Sequence, residues 1–411
     1  RARWCMAFYP CSACGHCEDD AVDVALLIGD DCEVIVAMQQ SSAASRSSTA
    51  MEEDDDYEPP LMATYKHLFD SHPHRLDVVD HRSDADEEEC FLPVIDLSSL
   101  LQQHQHKQSS GAEAAAAEQC RASIVRAASE WGFFQVTNHG VPQALLDELH
   151  QAQVAVFRRP FHLKASQPLL DFSPESYRWG TPTATCLEQL SWSEAYHIPT
   201  TNTTAPAATA GDDDDKTRLV VEQVSTAMSK LAQRLAGILV ADVGDGDGED
   251  DDTAVVSRCT RSTCFLRLNR YPPCAAPSGA YGLCPHTDSD FLTILHQDGV
   301  GGLQLVKAGR WVAVKPYPGA LIVNVGDLLQ AWSNDRYRSV EHRVMASAAR
   351  ERFSVAFFLC PSYDTLIRPR CGAGGPPRYE SFTFGEYRNQ IREDVRLTGR
   401  KLGLQRFRKP E

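Results

Sequence analysis

Three side chains in the second half of the chain have the types a metal centre needs. "GLCPHTDSDFLTILHQD", from Gly282 to Asp298, places His286 and Asp288 two residues apart, ahead of an apolar β-type run. "SVEHRVM" supplies His342, with several strand-like runs between it and Asp288. A sandwich of strands can fold that distance back and turn all three into one cavity. Two imidazoles and a carboxylate on one face of a metal leave three positions open. Non-haem Fe(II) centres use that set when oxygen and a second small molecule must both bind. The same donors around a bound water would suit zinc and hydrolysis. His-x-Asp alone is weak, because a histidine in a strand is more often a hydrogen-bonded core residue.

"ERFSVAFF" narrows the choice. Arg352 and Ser354 lie ten and twelve residues beyond His342, and strand alternation puts both on one face. A guanidinium turned into a sandwich interior is costly without an anion. A dicarboxylate ligand would supply one, gripped by the guanidinium fork with the hydroxyl as an extra donor. A zinc hydrolase gives Arg352 and Ser354 no purpose. The plain alternative is a salt bridge to a local Glu.

These residues need β elements to carry them. From Thr263, "TCFLRLNRY", "FLTILHQD", "GLQLV", "WVAVKP", "ALIVNVGD", "VEHRVM" and "RFSVAFFLCP" are short β-rich runs divided by Gly, Pro and Asp turns. That pattern predicts a sandwich or barrel. Ahead of it, "CFLPVIDLSSL" (Cys90 to Leu100) predicts a first strand. Ala112 to Trp131 predicts a helix, "WGFFQVTNHGVP" a strand and a turn, and Pro142 opens a second helix reaching Phe157. Arg218 to Val240 predicts a third, amphipathic helix. Strands are expected to stop after Pro361, with a closing helix over Phe384 to Leu397.

The 411 residues allow one large domain or two small ones. A net charge of −16 argues against a general binder of nucleic acid or anionic membrane. Acidic runs at 52–56, 86–89, 212–215 and 245–252 read as solvated linkers or loops. The last resembles a calcium loop, but its sixth position is Asp250 rather than Gly and its twelfth is Val256 rather than Glu. No apolar run reaches transmembrane length, and no signal peptide opens the chain. The 14 scattered cysteines suit free thiols in a reducing compartment. Cys11, Cys14 and Cys17, beside His16, have zinc-like spacing without a second half-site. The chain begins at Arg1, while Met51 and Met62 both suit a start, so residues 1–61 are expected to be a disordered or artefactual extension.

With those motifs in view, the sequence resembles the plant 2-oxoglutarate- and Fe(II)-dependent dioxygenases. The resemblance runs from Leu92 to Phe407 through "LPVIDLS", "WGFFQVTNHGV", "LRLNRYPPC", "HTDSDFLTIL", "GGLQL", "WVAVKP", "VNVGD", "SVEHRV" and "RFSVAFF". It implies a mainly β fold with flanking helices, built on a double-stranded β-helix (jelly-roll) core. The expected parts are a helix-rich region over 62–255, the core over 256–365 and a C-terminal helical segment over 366–411. The resemblance implies Fe(II) on His286, Asp288 and His342, and the far carboxylate of 2-oxoglutarate on Arg352 and Ser354. Tyr271 and Asn269 match positions lining the co-substrate pocket. Oxygen as co-substrate and ascorbate as reductant follow from the same likeness.

"SYRWGTPTATCLEQLSWSEAYHIP", Ser176 to Pro199, is similar to the gibberellin 2-oxidase subgroup acting on twenty-carbon gibberellins. That likeness implies hydroxylation at C2 from the β face, which inactivates the hormone or removes its precursors. It also implies a mostly aliphatic and aromatic pocket, with Tyr177, Trp179 and Trp192 as walls and Arg178 as a carboxylate partner. Cys284 and His296 depart from the subgroup's usual Met and Tyr. Action at another gibberellin position or on a flavonoid stays open, and so does a non-catalytic receptor on the same fold. A small-molecule substrate is expected, with neither nucleic acid nor membrane as partner. The expected location is cytoplasmic, with the nucleus as a second compartment.

Overall fold

β-Branched and aromatic runs dominate the second half of the chain, and they form strands that alternate between two sheets. The computed structural model describes residues 57–71, 89–102, 111–167, 176–200, 212–244, 254–260, 262–274, 280–371 and 375–410. Its strands are β1 (Glu89–Cys90), β2 (Val94–Asp96), β3 (Phe133–Thr137), β4 (Tyr177–Trp179), β5 (Glu194–Pro199), β6 (Phe265–Tyr271), β7 (Tyr281–His286), β8 (Leu292–Gln297), β9 (Leu303–Lys307), β10 (Arg310–Val314), β11 (Leu321–Val325), β12 (His342–Met345), β13 (Arg352–Leu359), β14 (Leu366–Ile367) and β15 (Phe382–Thr383). One sheet has the order β1-β10-β9-β12-β7, and the other β2-β3-β11-β8-β13-β6-β5-β4. From β6 to β13 the chain crosses repeatedly between them, as a double-stranded β-helix does. Helices Gly111–Trp131, Gln143–Phe157 and Asp212–Val243 pack together, and the last also packs against β8 and β13.

A second apolar cluster, which includes Phe133, Tyr271, Leu305, Ile322 and Val344, draws residues from both sheets. Gly132 makes the turn from helix into β3. Its φ is +65°, and a Cβ there would lie 2.3 Å from the Arg338 carbonyl oxygen, so only glycine fits.

Several expectations change. The strand expected over Cys90 to Leu100 is two short strands, and a helix starts at Ser98. The Asp96 carboxylate accepts the Ser98 N–H (2.8 Å) and ends the extended run. The acidic run 212–215 is not a loop but the start of the Asp212–Val243 helix. Carboxylates suit the positive end of a helix dipole, and Arg159 pairs with Asp214. β14 and β15 pair beyond Pro361, where no strand was expected. β1 to β5 lie before residue 255 yet join the main sheets, so that boundary does not divide them.

Residues just before Met62 are also part of the fold. Glu58 pairs with the buried Arg270 (2.5 Å), and the Tyr57 carbonyl accepts from the buried Lys164 (2.8 Å). Lys164 and Arg270 both bond to Glu194, at 2.6 and 2.5 Å. A chain starting at Met62 would lose one partner from each cation. The cysteine cluster at Cys11, Cys14 and Cys17 and the acidic runs 52–56 and 245–252 lie outside the described residues. Among the described residues, no helix is long and apolar enough to cross a membrane.

Candidate active site

Strand register brings the two histidines together. β12 lies antiparallel to β7 with His342 directly opposite His286, and their ring centroids are 4.3 Å apart. Asp288 follows β7 by two residues and reaches back to both. Its Oδ1 lies 3.6 Å from His286 Nε2 and 3.7 Å from His342 Nε2. Among the described residues this is the one group of three such donors whose ligand atoms converge, all within 4.8 Å. Each imidazole is oriented from behind. Nδ1 of His286 bonds the Cys284 carbonyl (2.8 Å), and Nδ1 of His342 bonds the Val340 carbonyl (3.0 Å). That leaves both Nε2 atoms facing Asp288, the tautomer a metal ligand needs. The Phe133 ring packs edge-on to His342, 5.2 Å away.

The carboxylate is oriented as well. Asp288 Oδ2 accepts from Thr293 Oγ1 (2.6 Å) and Asn324 Nδ2 (2.7 Å). Burial opposes the charge of Asp288, but His342 and His286 outweigh it and hold its pKa well below the carboxylate range. Burial also disfavours a charge on His286, yet the bond to Asp288 raises its pKa overall. Burial and then the neighbouring His286 push His342 down to about 4. Thr293 Oγ1 also lies 3.0 Å from Asp290 Oδ2, and one hydroxyl proton cannot serve two carboxylates. Burial, with Asp288 nearby, pushes Asp290 well above the carboxyl range. Thr293 therefore links the two carboxylates.

The four residues expected at the co-substrate are two cross-strand pairs. Arg352 lies opposite Tyr271 and Ser354 opposite Asn269 in the β13–β6 ladder. All four line one chamber with the three metal-type donors. Arg352 is buried and its guanidinium sits over the Tyr271 ring, 4.8 Å from the centroid. Nη2 donates to Gln297 Oε1 (2.8 Å), while Nε and Nη1 are buried without an acceptor. The expected alternative of a salt bridge to a nearby Glu does not occur. Glu351 pairs with Arg158 and Arg270 instead.

Outside the chamber, an open cleft of about 950 Å3 also reaches His286. Its lining includes Thr181, Thr183, Thr287, Glu341, Arg400 and Lys401. The walls expected from Ser176 to Pro199 need correction. That segment lines the cleft, but through its threonines, Glu188 and Gln189. The Tyr177 hydroxyl donates to the buried Glu194 (2.5 Å), Trp179 packs on Phe161, and Arg178 donates to the Tyr177 carbonyl (3.1 Å). Trp192 is buried in an apolar cluster that includes Leu61, Tyr65 and Leu68. Tyr177 and Trp192 are buried, Arg178 and Trp179 are half-buried, and none of the four lines the cleft, which takes residues from the stretch between β4 and β5.

Comparison with known proteins agrees with this geometry. The sequence profile of the 2OG-Fe(II) oxygenase superfamily matches residues 262–361, and that of the non-haem dioxygenase in morphine synthesis N-terminal region matches 92–223. The chain is 64% identical to Gibberellin 2-beta-dioxygenase 5 of Oryza sativa subsp. japonica, over 85% of this chain and 96% of the relative. The chain belongs to the 2OG-Fe(II) oxygenase superfamily. Its similarity to Gibberellin 2-beta-dioxygenase 8 of Arabidopsis thaliana is 50% identity over 78% of this chain and 88% of the relative. The fold also matches the crystal structure of JOX2 in complex with 2OG, Fe, and JA, with a TM-score of 0.61 and 30% identity. That match covers 80% of this chain and 92% of the other.

This oxygenase has a chamber suited to the family's two small partners. The three donors leave one face open for Fe(II), and the orphaned N–H groups of Arg352 suit a carboxylate such as that of 2-oxoglutarate. The chamber is narrow, about 50 Å3. Sequence reasoning missed Thr293, Asn324, Gln297 and Lys401. For Asn324 a signal existed: a polar residue inside the apolar run "LIVNV" is buried and needs a partner.

Proposed function

We propose that this oxygenase 2β-hydroxylates gibberellins, with twenty-carbon gibberellins preferred and loss of hormone activity as the outcome. The reading is supported most by the close relationship to gibberellin 2-beta-dioxygenases in a chain whose chamber keeps every donor the chemistry needs. His286, Asp288 and His342 hold Fe(II). Arg352 and Ser354 hold the far carboxylate of 2-oxoglutarate, with Tyr271 and Asn269 beside it. When bound, these partners and oxygen supply the oxidising power to turn an unactivated C–H into C–OH, with succinate and carbon dioxide as co-products. Ascorbate serves as reductant.

The chain's own part is placement. Backbone carbonyls fix the imidazole tautomers, and Thr293 and Asn324 stop Asp288 from rotating. The Arg352 fork sets the depth and direction of the co-substrate. The cleft holds the gibberellin with its A ring toward His286. The substrate is a small molecule and the setting is the cytoplasm.

Purified protein given Fe(II), ascorbate, 2-oxoglutarate and a panel of nineteen- and twenty-carbon gibberellins tests this by mass spectrometry. A product sixteen mass units heavier, hydroxylated at C2, is expected. Turnover of a flavonoid with none of any gibberellin would overturn the substrate class and leave the oxygenase assignment standing.

A further inference from the structure

The mouth of the cleft carries a charge that the chamber chemistry does not use. The closing helix Phe384–Thr398 stops at Gly399, whose φ is +71°, and the chain then runs along the cleft wall. Lys401 pins this segment. Its Nζ donates to the Thr287 carbonyl (2.9 Å) and Ser289 Oγ (2.5 Å), and pairs with Asp327 (2.8 Å). Thr287 lies between His286 and Asp288, so the segment is fixed to the loop that carries the metal-type donors. Asp327 is itself held by the hydroxyls of Tyr387 (2.5 Å) and Thr287 (3.0 Å).

Arg400, one residue before that anchor, is exposed and lines the cleft. The other cations of the lining have carboxylates: Arg396 with Glu393, Lys401 with Asp327 and Arg408 with Asp335. The Arg400 guanidinium has none among the described residues. Glu341 is also exposed on the cleft and disfavours an anion beside itself.

Resting on the gibberellin reading above, we propose that Arg400, held in place by Lys401, binds a substrate carboxylate and is the residue that selects twenty-carbon gibberellins. The two substrate classes differ in that charge. A twenty-carbon gibberellin has a free carboxylate on C4 of ring A, whereas in a nineteen-carbon gibberellin that carboxyl is closed into an uncharged lactone. C4 is two bonds from C2, the carbon to be hydroxylated. A cation that reads it must stand near the metal loop, and Arg400 lines the same cleft next to Lys401, which is bonded to that loop at the Thr287 carbonyl. A guanidinium takes a carboxylate through two parallel charge-assisted bonds and gains little from a lactone.

Kinetics of wild type, Arg400→Gln and Arg400→Lys on one matched pair, a dicarboxylic twenty-carbon gibberellin and a nineteen-carbon lactone, test this. Arg400→Gln should lower the preference for the dicarboxylate by about tenfold, read as the ratio of the two KM values, with Arg400→Lys restoring part of it. Methylating the C4 carboxylate should weaken binding to wild type and make little difference to Arg400→Gln. If Arg400→Gln moves both KM values in parallel, the selectivity assignment is overturned while the hydroxylase reading stands. If wild type hydroxylates neither compound, the hydroxylase reading fails and this inference falls with it.

Discussion

In the chamber, the functional side chains stand on or directly beside strands whose neighbours set their register. His286 faces His342, Arg352 faces Tyr271, and Ser354 faces Asn269. In the cleft, the walls are mostly turns and the segment after the closing helix, and the groups range from buried, as at Thr181 and Asp327, to exposed, as at Glu188 and Arg400. The chamber holds buried polar atoms oriented by other buried polar atoms. The cleft mixes buried polar groups with solvated ones. On the proposed reading, the contrast separates two jobs. A rigid ladder suits the one reaction that must not vary, and adjustable turns suit the choice of substrate.

The largest break should come from Asp288→Ala. It removes the shared carboxylate, so metal binding and turnover should both vanish while circular dichroism shows a folded protein. Full 2-oxoglutarate decarboxylation by that variant would sink the metal assignment. Arg352→Ala comes next. Stranding the co-substrate carboxylate should cost roughly 3–5 kcal/mol. At ~1.4 kcal/mol per decade, the apparent affinity for 2-oxoglutarate should fall by about two to three and a half decades, with the gibberellin KM nearly unmoved. An equal loss for both substrates would mean that Arg352 holds the fold rather than the ligand.

Trp192→Ala should act on neither region. A large buried ring in an apolar cluster costs about 3–5 kcal/mol on truncation, and thermal unfolding should show it. A gibberellin KM raised tenfold in a variant of wild-type stability would return Trp192 to the substrate site. Metal uptake should also depend on pH. Asp288 raises the pKa of His286, so below that raised pKa a proton competes with the metal, and above it the competition ends. Calorimetric titration with Co(II) should show affinity falling by about tenfold per pH unit on the acid side and flat on the alkaline side. An affinity independent of pH would show that no proton is displaced. The smallest effects concern the N-terminus. Deleting residues 1–50 should leave activity and melting temperature unchanged. Deleting 1–61 also removes Glu58 and the Tyr57 carbonyl, and should cost about 1–3 kcal/mol. Equal melting temperatures for the two truncations would refute the role of those contacts.

What the sequence made legible follows the same division. His286, Asp288 and His342 could be read because their types are rare in apolar runs and their chemistry demands them together. Arg352 and Ser354 could be read because a strand has a period of two, and inward charge needs a reason. The helices at Gly111–Trp131, Gln143–Phe157 and Phe384–Thr398 followed from their periodicity. The cleft did not follow. Trp179 and Trp192 look like pocket walls in a sequence, since aromatic residues suit cores and pockets alike. Lys401 and Asp327 are far apart in the chain, and nothing local marks them as partners. The acidic start of the Asp212–Val243 helix was hidden because a run of carboxylates reads as a loop whether or not a helix dipole receives it.

The placement of His342 directly across from His286 has a consequence for assembly of the molecule. A slip of one residue between β12 and β7 would turn one imidazole to the other side of the sheet, and a slip of two would carry the pair apart along the ladder. The pairing is also irregular just beyond His342, where the register shifts before Val344, so a displaced ladder could not simply repeat the native one further along. Only correctly aligned strands present both nitrogens to Asp288. On the proposed metal assignment, the fraction of a preparation that takes up one ion per chain is expected to track the molecules whose two strands have closed in register.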